Sequence, residues 1–162
     1  MLAAIDLSVV APILIRLVHI LAAIAAGGAV VFQLLAVHPS LSAIPETQRG
    51  EFRAWVVNRW RPIVYLLMAL LLVTGLVTYV VYRIPEYKTH ASKGAYHGLL
   101  GAKILLALAF FHAATVLTLP GSKGDKYRAA AGFWLRWMTA LLLGIVALGA
   151  VLRYFAKLFP AV

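Results

Sequence analysis

Residues 62–82 read PIVYLLMALLLVTGLVTYVVY, without a charged side chain from Pro62 to Tyr82. At a rise of about 1.5 Å per residue this stretch is long enough to cross the ~30 Å hydrocarbon core of a bilayer as a helix. Apolar and polar residues do not alternate with a period of two, so it does not read as a barrel strand. Helices and closed barrels are the structures that satisfy every backbone polar group in lipid. The stretch is therefore a transmembrane helix.

Working outward, three more blocks share this character. The first runs from about residue 9 to 37 and contains Arg16 and His19. The third runs from about 98 to 119 with Lys103 and His112, and the fourth from about 133 to 155 with Arg136 and Arg153 near its ends. The first block is too long for a signal peptide and has no A-x-A cleavage site after it, so it reads as a true span. The predicted fold is all-α: a single domain over residues 1–162, a four-helix transmembrane bundle of up-down topology with both termini on the same side. Hydrophobic residues make up 64% of the chain, against about half in soluble domains, and the mean hydropathy is +0.93. No amphipathic remainder is left to cover four such helices in water.

The chain has no cysteine, which excludes disulfides, iron–sulfur clusters and thiolate-held haem within it. The formal net charge is +10. Its basic residues sit in loops and at helix ends, where they meet lipid headgroups and set topology, so nucleic acid is not an expected partner. The loops at residues 38–61 and 120–132 hold Arg49, Arg53, Arg59, Arg61, Lys123, Lys126 and Arg128. By the positive-inside rule this face is cytoplasmic and the termini are outside, in a bacterial inner membrane. Trp55, Trp60, Trp134 and Trp137 fall on the same face, as an interfacial belt does. Pro45 suits a helix start, and a short interfacial helix is expected after it. Gly121-Ser122-Lys123-Gly124 is expected to be a turn between helices rather than a phosphate loop.

Ionisable residues inside a membrane are costly and mark functional sites. Here they are Arg16, His19, Lys103 and His112, with His38 and His97 at helix ends. His19 lies about 10 Å into the first span and Lys103 about 9 Å into the third, from the same face. The two should therefore share a level, with His97 just above them. A b-type haem held in a bundle needs one axial ligand from each of two helices at equal depth, with small residues where the porphyrin lies. The run from Ala22 to Ala29, including Gly27 and Gly28, offers such a surface beside His19, and Gly98 and Gly101 do so beside Lys103. Arg16, one turn from His19, suits a propionate. Close helix packing uses the same small residues, and Lys103 is also placed to snorkel.

His19, His97, His112 and His38 are the candidate metal ligands, and His38 with His112 would make a second haem site nearer the cytoplasmic face. Copper is the alternative, because imidazole and thioether both suit it; Met68 and Met138 are isolated in sequence. A cofactor-free subunit of a larger complex is the third reading. No carboxylate lies within a span, which argues against a proton-coupled pump.

The segments Arg16-Leu-Val-His19-Ile-Leu-Ala-Ala, with Gly28 and His38 after it, and His97-Gly-Leu-Leu-Gly-Ala-Lys103 through His112 resemble the membrane superfamily of copper-resistance protein D and the oxygen-independent, haem-binding protoporphyrinogen oxidase of bacteria. The resemblance covers the first and third spans, about a third of the chain. It implies haem b linked to His19 and Lys103, and electron transfer alone or with other membrane subunits or a redox partner. Gly27-Gly28 and Phe32-Gln33-Leu34 stand where the oxidase branch has its aromatic-Ala-Gly and Pro-Arg signatures.

Overall fold

The computed structural model describes residues 6–90 and 92–159. The two chain ends, whose side of the membrane the sequence reading assigned, lie outside the described residues. Among the described residues every regular element is helical. Four helices are long and apolar enough to span a bilayer: α1 (Leu7–Ala43), α2 (Glu46–Tyr87), α3 (Lys93–Thr118) and α5 (Ala131–Arg153). Two short helices accompany them, α4 (Gly121–Ala129) and α6 (Phe155–Leu158).

Local chemistry explains where these helices start and bend. Asp6 caps α1 by accepting from the Ser8 backbone N–H at 2.9 Å and the Ser8 hydroxyl at 2.7 Å, which satisfies a donor that the first helical turn leaves free. Both α1 and α2 contain a π-helical turn, Gln33–Val37 and Thr78–Arg83. Each precedes a proline, Pro39 and Pro85. A proline ring clashes with the carbonyl four residues back and cannot donate to it. Those carbonyls belong to Leu35 and Val81, inside the widened turns, so the π geometry relieves the clash without ending the helix.

No separate interfacial helix precedes the second span. The segment after Pro45 runs through Pro62 into one continuous helix. The expected turn at Gly121 is instead the first turn of α4, entered with Gly121 at φ 63°, a conformation that costs glycine little. Arg128 folds back from the end of α4 to donate to the carbonyls of Leu119 and Gly121 and to Asp125. Arg61 of α2 donates to the Thr118 carbonyl at the end of α3, at 2.9 Å, meeting an acceptor that the helix terminus leaves unpaired.

The spans pack in a ring: α1 on α2, α2 on α3, α3 on α5, and α5 back on α1. Large apolar residues fill the inside together with a few alanines, and large apolar ones also face outward. Ala113 is fully buried, whereas Leu105 on the same helix is 68% exposed. Leu21, Ile24, Leu66, Val73, Leu143 and Val146 are exposed as well. In water this arrangement would be costly. In lipid the outward side chains meet their equal, and small residues let the backbones approach. One core cluster gathers Val30, Phe110, Phe111, Leu135, Met138 and Leu141. A second, at the other end, stacks Tyr87 on Tyr96 with ring centroids 3.7 Å apart, beside the fully buried Phe155.

Candidate functional site

The polar groups inside the bundle concentrate around His19. Its Nδ1 lies 2.7 Å from the Thr74 hydroxyl on α2, and its Cε1 faces Gly75, where a β-carbon would stand 3.5 Å away. The Thr74 hydroxyl also donates to the Leu70 carbonyl. A hydroxyl has one hydrogen, so once that is committed its oxygen accepts from the imidazole. Nδ1 of His19 therefore carries a proton, and in the neutral ring Nε2 then presents a lone pair. Nε2 has no hydrogen-bond partner among the described residues. This is the arrangement of a metal-ligating histidine, whose far nitrogen is oriented by a second group.

Lys103 on α3 comes within electrostatic reach of the same imidazole. Its ammonium lies against Gly149 of α5, where a β-carbon would sit 3.5 Å from Nζ. It forms no ion pair among the described residues, whose two salt bridges join Arg83 to Glu86 and Arg128 to Asp125. His19 thus stands beside Gly75 of α2, and Lys103 beside Gly149 of α5.

The other candidates are placed differently. His97 is half-buried and contacts the Tyr79 hydroxyl through Nδ1 at 3.5 Å, while Tyr79 and Tyr96 meet its ring edge-on. Arg16 is exposed. Gly27 is buried against Leu142, a packing contact, whereas Gly28 faces open space. Gly98 and Gly101 also have free space beyond them. His38 packs on Gly132, where a β-carbon would fall 2.6 Å from Nε2. His112 is exposed on the outer face of α3. His19 and Lys103 are thus both half-buried, whereas His38 packs on α5 and His112 is exposed. Among the described residues, no three His, Asp or Glu side chains converge as a metal cage would require.

An apolar cavity of about 80 Å³ lies among α1, α2, α3 and α5. Ala29, Gln33, Trp60 and Phe111 line it, and Met68 and Met138, isolated in sequence, meet at its wall. No histidine or lysine lines it. A cavity of roughly 150 Å³ is what holds a benzene, so this one is a packing void and not the seat of a macrocycle.

Sequence reasoning had not singled out Thr74, Gly75 and Gly149. The available signal was a hydroxyl followed by a glycine, Thr74-Gly75, in the middle of the otherwise apolar second span. No family model matches the chain, and neither a curated protein nor a solved structure does.

Proposed function

We propose that this chain is an integral membrane redox protein that would hold a b-type haem through His19 and Lys103. The observation that carries this reading is the Thr74 hydrogen bond, which fixes the His19 tautomer and leaves Nε2 as a ready donor. The donor set fits the group: an oriented neutral imidazole, and an amine with no carboxylate partner, at one level of the bundle. Free space beyond Gly98 and Gly101 leaves α3 open to a flat ring near Lys103. The partial likeness of the first and third spans to the copper-resistance D and protoporphyrinogen oxidase superfamily is part of the same reading. His97, with Tyr79 against it, is the alternative to Lys103. Arg16 is placed to neutralise a propionate at the surface.

Bound haem would supply a one-electron couple. The protein's part is to orient the imidazole through Thr74, to offer the Lys103 amine, and to exclude water with Tyr87, Tyr96 and Phe155 at that end. The up-down arrangement, with the arginine-rich face cytoplasmic and the termini outside, belongs to this reading too. The two-residue connection between α1 and α2 and the neighbour-to-neighbour ring support its up-down part, and the positive-inside rule its orientation. Electrons would pass to a redox partner or to other membrane subunits.

The test is a visible spectrum of protein purified from haem-replete cells. A Soret band that shifts on dithionite reduction, and is lost in His19→Ala, is expected. Full haem retention in His19→Ala would remove this histidine from the site. Absence of the band with stoichiometric copper would replace haem by copper, and absence of both would leave a cofactor-free subunit.

A further inference from the structure

At the arginine-rich end, α2 and α4 flank an open surface hollow of about 260 Å³. Arg53 and Arg128 face it, with Gly50, Ala54 and Ala129 as a floor of small residues and Asp125 as its carboxylate. Arg128 is held by the Asp125 carboxylate at 2.6 Å and by the Gly121 carbonyl at 3.0 Å, besides the Leu119 carbonyl. Its side chain is 14% exposed. A guanidinium has five N–H donors. Three are engaged here, so two remain. Arg53 is half-buried and makes no ion pair or side-chain hydrogen bond among the described residues. A partly buried guanidinium without a partner is costly unless an anion meets it. Asp125 balances one of the two cations, which leaves the hollow with a net positive charge.

We propose that this hollow binds the phosphate of an anionic phospholipid. Arg53 and the free donors of Arg128 would hold the phosphate oxygens, and the glycine and alanines leave room for the headgroup. A lipid is favoured over free phosphate by the level at which the hollow lies. Phe52 and Trp55, on the same turns of α2 but on its opposite face, stack with centroids 6.5 Å apart. Trp55 is 66% exposed. Exposed aromatic pairs of this kind sit at the headgroup level, which puts the two arginines level with lipid phosphates. The site is independent of the haem reading: it lies on other helix segments and uses none of the same residues.

The whole protein in mild detergent is melted with added phosphatidylglycerol, phosphatidylcholine or inorganic phosphate. Phosphatidylglycerol should raise the melting temperature well above the other two. Arg53→Gln should lose most of that shift, while Arg59→Gln, a neighbouring exposed arginine, should keep it. Ala54→Leu fills the hollow without changing charge and should lose the shift as well. Equal protection by phosphatidylcholine would overturn the proposal, as would a full response in either Arg53→Gln or Ala54→Leu. Equal protection by inorganic phosphate would show an ion site in place of a lipid site, and would overturn it too.

Discussion

The two ends of the bundle interior differ in what holds them together. Around Phe110, Phe111, Leu135, Met138 and Leu141 the helices meet through interlocking apolar side chains. Around His19, Thr74 and Lys103 they meet through a hydrogen bond, a bare ammonium and two glycines. Dispersion contacts have no preferred direction and tolerate lipid on their outer side. Polar groups in hydrocarbon are paid for only where something specific uses them. The apolar end therefore reads as scaffold and the polar end as site, and substitutions should separate the two.

The largest effect on stability should come from the scaffold. Leu141→Ala removes a side chain that is 6% exposed and should cost about 2–5 kcal/mol, seen as a lower melting temperature, with haem stoichiometry unchanged. A loss of haem in proportion to the loss of fold would erase the proposed division. The next effect belongs to the site. Thr74→Val keeps the shape but removes the acceptor for the His19 N–H, and should weaken haem binding roughly 10–100-fold while the protein melts near its normal temperature; Thr74→Ser should restore binding. Unchanged haem affinity in the valine variant would mean that the tautomer is set by something else.

Lys103→Met should act oppositely on the two properties. Removing an unpaired charge from the membrane interior leaves stability equal or higher, whereas the reduced haem spectrum and the midpoint potential should shift. If the spectrum stays still, Lys103 lies outside the site and His97 becomes the second candidate.

The smallest effect is at Asp6, the cap of α1 outside both regions. The Ser8 hydroxyl and backbone N–H hold its carboxyl below the ordinary carboxylate range. Because the folded value lies below the unfolded one, the cap contributes above the unfolded value and is lost as pH falls through the folded one. The small stability difference between the wild type and Asp6→Ala should thus be present at neutral pH and fade in acid. A difference that persists in strong acid would show that the cap does not depend on the carboxylate charge.

Much of the fold was legible because lipid imposes a rule on composition. Four uncharged or nearly uncharged runs admit few other structures, and each expected span overlaps one observed long helix, to within two residues at its end. The boundaries were less legible. Nothing in a linear reading said that Pro62 would be absorbed into α2, or that Pro39 and Pro85 would each be accommodated by a π turn, because a proline can end, kink or widen a helix according to what packs on it.

For the site, sequence alone determined which residues could carry chemistry: His19, Lys103, His97, His38 and His112 are the histidines and the lysine that fall within the spans or at their ends. It determined depth as well, since depth follows from counting residues along a helix. Which way each side chain faces was decided by tertiary structure. A helix shows its residues to every direction in turn, so only packing against neighbours put Thr74 behind His19, set Lys103 on Gly149, and turned His112 outward.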